Sequence, residues 1–116
     1  MSKVQSIRFN YEFSRIYRRG SYIPGKYVVL HYMPNRRNYN RIGISTGKKI
    51  RGSISRNRMR RLIRETFRLR EPDLKKGFDI ILLGRENPGD IKRERIDKDV
   101  VYLFKRAGIW QEQSES

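Results

Sequence analysis

One run of the chain, Arg56-Asn57-Arg58-Met59-Arg60-Arg61-Leu62-Ile63-Arg64-Glu65-Thr66-Phe67, leaves few ways to fold. At about 100° per residue, Met59, Leu62, Ile63, Thr66 and Phe67 fall on one side of a helix, and Asn57, Arg60, Arg61, Arg64 and Arg68 on the other. Seven arginines and one acid lie between Arg56 and Arg70. Neighbours therefore cannot neutralise the charged side, and like charges one turn apart oppose the helix. Ser53 or Ser55 is the expected cap, which puts Arg56 and Arg58 in the first turn, where the helix macrodipole disfavours cations. A phosphate would relieve both conflicts, accepting hydrogen bonds from free amides at the helix start and from the guanidinium forks. The alternative is a basic face that is merely solvated.

The charge is concentrated. Residues 1–70 hold 19 basic and 2 acidic side chains, whereas residues 71–116 hold 9 and 10. A formal net charge of +16 calls for a polyanionic partner, and the distribution assigns the basic surface to the first three-fifths of the chain. Cysteine is absent and His31 is the only histidine, so neither a thiolate metal site nor a histidine pair for metal or acid–base work is available. No apolar run approaches the ~20 residues needed to cross a bilayer, and no signal-type apolar segment opens the chain. A cytoplasmic protein with no membrane partner is expected. Its length fits one domain over residues 1–116, with flexible ends at about 1–8 and 111–116.

Along the chain, Asn10 is the expected cap of a first helix that ends at Gly20. Its stripe of Phe9, Phe13, Ile16 and Tyr17 is either core or, among Arg8, Arg15, Arg18 and Arg19, a platform on which unpaired bases stack. Tyr27 to Met33 reads as a strand, and Arg41 to Ser45 as its antiparallel return across a polar turn. Gly47-Lys48-Lys49 lacks the rest of a phosphate-binding loop; with Arg51 it extends the basic zone into the arginine helix. Phe78 to Leu83 reads as a central strand buried on both faces. Asp90 is the expected cap of a last helix. Ile96, Val100, Leu103, Phe104 and Ala107 would face inward there, with Glu94, Asp97, Lys98 and Asp99 in water.

Lys48-Lys49 followed by Arg56-Asn57-Arg58-x-Arg60-Arg61-Leu62-Ile63-Arg64-Glu65 resembles the signature of the bacterial ribonuclease P protein subunit. Asn10-x-Glu12-Phe13-x-Arg15-Ile16-Tyr17-Arg18-x-Gly20, Arg41-Ile42-Gly43-Ile44-Ser45 and Leu83-Gly84-Arg85 fall in the same family order. The resemblance implies a single α/β domain of α+β sandwich type, with a mixed sheet of about four strands and three helices. It also implies a left-handed strand–helix–strand crossover, against the usual handedness.

The function implied is removal of the 5′ leader from precursor transfer RNA. The partner RNA would carry the catalysis with its magnesium ions, and the protein would supply no catalytic residue, metal ligand or organic cofactor. Carried over by position, Lys48, Lys49, Arg51, Arg56, Asn57, Arg58, Arg60, Arg61, Arg64 and Arg68 would meet the catalytic RNA, one protein per RNA. Phe13, Tyr17, Val29 and His31 would form the cleft for the leader. His31 replaces a common tyrosine, Gly47 a common serine, Arg51 a common glycine and Arg60 a lysine. A structural RNA-binding protein, such as a ribosomal component, is the alternative that composition leaves open.

Overall fold

The computed structural model describes residues 4–111. Five strands form one mixed sheet in the order β1-β4-β5-β3-β2, where β1 is Gln5–Ser6, β2 Ser21–Pro24, β3 Val28–Pro34, β4 Arg41–Thr46 and β5 Phe78–Gly84. Three helices accompany it: α1 (Asn10–Arg19), α2 (Ser53–Arg70) and α3 (Arg93–Ala107). The sheet has five strands, one more than the expected four, and its two edge strands, β1 and β2, are short.

β5 takes the middle of the sheet because Ile80, Ile81 and Leu82 are all fully buried, and only a strand covered on both faces can bury three successive apolar side chains. That placement overturns the expected hairpin. β3 pairs antiparallel with β5, and β4 pairs parallel with β5, so β3 and β4 run oppositely with β5 between them. The Asn35–Asn40 connection has to cross two strand spacings, roughly 10 Å. Its ends are fastened to the inserted strand rather than to each other. Asn35 Nδ2 donates to Asp79 at 2.9 Å, and Asn40 Oδ1 accepts from the Phe78 amide at 2.9 Å.

Alternation along the strands divides the sheet. Val28, Leu30, Ile42, Ile44, Ile80 and Leu82 point to the layer of α2 and α3, where Met59, Ile63, Phe67, Val100 and Phe104 complete the main core. The opposite side packs a smaller cluster of Ile7, Ile16 and Ile81 beneath α1, with Phe13 and Met33 against it. The tip of the Phe13 ring comes so close to β4 that a Cβ on Gly43 would fall 2.6 Å from it.

Helix starts differ from the sequence expectation. Phe9, not Asn10, is the N-cap of α1, and its amide donates to the Glu12 carboxylate at 3.4 Å. Gly52 precedes α2 at φ +85°, a conformation glycine adopts freely, so the helix begins at Ser53 without a side-chain cap. Arg56 is therefore the fourth helical residue and Arg58 the sixth, outside the first turn. α3 begins after Lys92 rather than Asp90, also without a side-chain cap.

Part of the segment expected to be flexible is placed on the sheet. β1 pairs with Arg41 and Ile42 of β4, and Ile7 is buried. Gln111 donates its amide to the Asp73 carbonyl at 2.8 Å; residues 1–3 and 112–116 lie outside the described region.

α1 is tied to the sheet by charge. Arg41, buried in β4, holds Asp79 through Nε–Oδ1 and Nη2–Oδ2 contacts of 2.8 and 2.7 Å, and Glu12 of α1 through Nη1 at 2.7 Å. Burial pushes the Asp79 carboxyl up, but Arg41, Asn35 and Arg15 more than offset this and leave it below its usual range. The Arg41 hydrogen bond holds Glu12 below its range as well. Carboxyls with depressed folded pKa values stabilise above the unfolded pKa and lose that contribution as pH falls through the folded value. Stability measured by urea unfolding is thus expected to drop below about pH 4. A smaller loss begins just under pH 6.5, because burial also depresses His31. A stability profile flat from pH 7 to pH 3 would contradict this.

Candidate nucleic-acid interface

Helical periodicity places the ridge where expected. Met59, Leu62, Ile63, Thr66 and Phe67 are buried against the sheet, while Asn57, Arg61, Arg64 and Arg68 are exposed. Arg60 is partly exposed and donates to Asn57 Oδ1 at 2.9 Å. Among the described residues, Arg61, Arg64 and Arg68 have no acidic partner. The ridge is thus an array of guanidinium groups on a rigid backbone, open to an external anion.

Arg58 differs from its neighbours. It donates to the Gly89 carbonyl at 3.2 Å and the Ile91 carbonyl at 2.6 Å, clasping the segment before α3. Its guanidinium is largely committed within the chain. Lys48, Arg51 and Arg56 line a concavity of about 470 Å³ where the chain enters α2. Lys49 leans instead toward Glu86 at 3.8 Å, an exposed pair of little energetic weight.

On the other side of the sheet, α1 covers only part of the surface. Beside it, Tyr17 meets His31 edge to face with ring centroids 4.7 Å apart. Tyr22, on the neighbouring strand in register with His31, stacks on the imidazole at 5.7 Å and 25°. Phe13 lies 6.4 Å from Tyr17, and Val29, half-buried, shares the His31 face of β3. The four residues expected in a cleft therefore lie together, although Phe13 also belongs to the small core.

Tyr22 is the addition that sequence reading missed. It is 66% exposed and turns a ring pair into a trio. The available signal was the short Ser-Tyr-Ile-Pro run after Gly20, too brief to stand out as a strand. Burial keeps the His31 imidazole below its ordinary pKa, so near neutral pH it offers an uncharged ring.

The two surfaces meet at the β1–β4 edge. A groove of about 570 Å³ there is lined by Phe13 and Gly43 from the α1 side and by Arg64, Phe67 and Arg68 from α2.

Several acids are occupied elsewhere. Glu71 meets Lys76 at 2.9 Å, Asp79 and Glu12 meet Arg41, and Asp97 forms a two-point pair with Arg70 at 2.7 and 2.6 Å. Asp99 accepts the amides of Lys26, Tyr27 and Val28 at 3.0, 2.8 and 3.0 Å. Asp97 and Asp99 are thus structural anchors rather than the water-facing charges expected from the sequence. Among the described residues, no group of three or more histidines, aspartates or glutamates is placed to hold a metal ion. No helix among them is long and apolar enough to cross a membrane.

A mixed-sheet α/β domain with an unpaired arginine ridge and a half-open aromatic cleft carries the electrostatic footprint that suits a polyanionic partner. Comparison identifies which. The sequence model of the ribonuclease P family matches residues 1–108. The ribonuclease P protein component of Natranaerobius thermophilus is 37% identical over 111 residues, covering 96% of each chain. That of Clostridium botulinum strain Loch Maree is 39% identical over 109 residues, covering 93% of this chain and 98% of the relative.

Among solved structures, the RNase P protein of Staphylococcus aureus superposes with a TM-score of 0.81 at 28% identity, covering 93% of this chain and 99% of that one. The Thermotoga maritima protein gives 0.78 at 26%, covering 88% and 96%. The chain belongs to the ribonuclease P protein family, the protein component of a ribonucleoprotein endoribonuclease.

Proposed function

We propose that the protein binds the ribonuclease P RNA through the α2 ridge and the 5′ leader of precursor transfer RNA through the α1 cleft, in the cytoplasm, one protein per RNA. The carrying observation is the exposed trio Arg61, Arg64 and Arg68, which has no acidic partner among the described residues. Asn57, Arg60, Arg56, Lys48, Lys49 and Arg51 extend that surface toward the start of the helix. Arg58 supports it by holding the segment behind, and so contributes less to RNA contact than its place in the motif implies.

The leader is held by stacking. Unpaired bases can lie against Tyr17, His31 and Tyr22 whatever their identity, because every base has a π-face. Phe13 and Val29 form the apolar side of the cleft. Chemistry falls to the RNA with its magnesium ions, as the family resemblance implies. The protein's own contribution is to hold the leader and the RNA in one orientation.

Tyr17→Ala tests the cleft. Loss of one base stack should weaken leader-bearing precursor by about 1–3 kcal/mol, with mature transfer RNA nearly unaffected. Competition binding to the assembled ribonucleoprotein reads both; equal losses for the two RNAs would return Tyr17 to a packing role.

A further inference from the structure

The last helix reads in sequence as scaffold, with mixed charges in water. Its geometry sorts those charges. Ile96, Val100, Leu103 and Phe104 are fully buried, and the opposite face carries Arg95, Lys98, Tyr102, Lys105 and Arg106 within roughly a 100° arc. The acids of this helix do not balance them. Asp97 is held by Arg70 and Asp99 by three backbone amides, leaving Glu94 at the flank of the first turn. Among the described residues, Arg95, Lys98, Lys105 and Arg106 make no ion pair. The near-zero charge of residues 71–116 therefore conceals a cationic face, because several of its acids are spent inside the fold.

Aromatic rings are set among these cations. Tyr102 is 50% exposed, with the Arg106 guanidinium 6.0 Å from its ring centre. The Lys105 ammonium lies 5.6 Å from the ring centre of Trp110, and that of Lys26 lies 5.5 Å from Tyr27. Two shallow grooves, about 270 and 390 Å³, share Lys98 and Tyr102 as a common wall; Lys26 and Tyr27 line the first, Lys105 and Trp110 the second. Tyr102 is the only large hydrophobic residue of α3 that is exposed, so a lipid surface would find no aliphatic ridge to bury. Cations beside accessible rings suit a strand with both phosphates and bases.

We propose that α3 carries a second RNA-contact surface, with phosphates along Arg95, Lys98, Lys105 and Arg106 and a base stacked against Tyr102. It rests on the reading of the protein as an RNA-binding subunit but uses neither the α2 ridge nor the α1 cleft. The bound strand is an unpaired segment of the ribonuclease P RNA, the partner proposed for α2, because Arg70 at the end of that helix lines the second groove and makes the two surfaces continuous.

The test measures salt-dependent binding of the full-length chain to each RNA separately. It compares Tyr102→Ala, Tyr102→Phe, the triple variant Lys98→Ala/Lys105→Ala/Arg106→Ala, and Arg61→Ala as reference. On the ribonuclease P RNA, the triple variant should make the log–log salt slope shallower by about 2–3. Tyr102→Ala should weaken binding of that RNA about 5- to 100-fold at unchanged slope, and Tyr102→Phe should restore it.

Tyr102→Ala binding the ribonuclease P RNA as tightly as the parent, or weakened only toward the precursor, overturns the proposal even if the triple variant loses slope, because removing charge from any face lowers the slope. If Arg61→Ala still makes the slope shallower in that case, the α2 reading stands without the α3 surface. If Arg61→Ala is also silent, the ridge itself is refuted. Melting each variant confirms its fold; Tyr102 is half exposed, so Tyr102→Ala should melt within a few degrees of the parent.

Discussion

Replacing Arg41 with methionine is expected to destabilise the protein by about 3–5 kcal/mol, the usual result of leaving one member of a buried ion pair behind. Asp79 is 1% exposed and takes two of its hydrogen bonds from Arg41. Without the guanidinium it keeps Asn35 at 2.9 Å and Arg15 at 3.9 Å, too little to solvate a buried carboxylate. Thermal unfolding should fall by roughly 10–30 °C. Adding Asp79→Leu should recover part of the loss, since the buried carboxylate goes with the guanidinium, while Glu12 and Asn35 each still lack one partner. A double variant as unstable as the single would contradict this.

Function follows from the same network. Arg41 also holds Glu12, and through it α1, against the sheet, so the variant's aromatic cleft should loosen before its arginine ridge does.

A second large effect is expected on α2. If about five of its arginines neutralise phosphates, log affinity for the ribonuclease P RNA against log salt should slope by roughly −3.5 to −4.5. Changing Arg61, Arg64 and Arg68 together to glutamine should make that slope shallower by about 2–3, with melting little changed because all three are exposed. Arg58→Gln should do the reverse. It removes the clasp on Gly89 and Ile91 and so costs stability, while the slope moves by less than one. Equal slope changes at Arg58 and Arg61 would mean that the clasp opens when RNA binds.

What could be read from the sequence was whatever depends on local periodicity. The buried stripe of α2, the two-sided burial of β5 and the inward face of α3 all follow from apolar spacing, and all three stand in the fold. What could not be read depends on partners distant in sequence. Nothing within residues 27–45 tells that Asn35 and Asn40 will bond to a strand that begins at Phe78, and so the hairpin expectation failed. Likewise Asp97 and Asp99 look like surface charges until Arg70 and the amides of residues 26–28 are brought to them.

The candidate interface shows the same division. Motif spacing located the ridge, but whether each arginine is free or employed is a tertiary fact. Arg61 and Arg58 sit three residues apart in one motif and face different tasks. Tyr22 is a counterpart: its ring matters because β2 pairs with β3 in a register that sets it against His31.

The central claim is that this chain grips RNA and does no cutting. Incubating leader-bearing precursor transfer RNA in magnesium with the RNA-free protein, with the ribonuclease P RNA, and with both tests it most directly. The account predicts no cleavage by the protein alone and leader removal whenever the RNA is present, improved by the protein at moderate salt. Release of the leader by the RNA-free protein, at the same phosphate and in proportion to protein added, would contradict it.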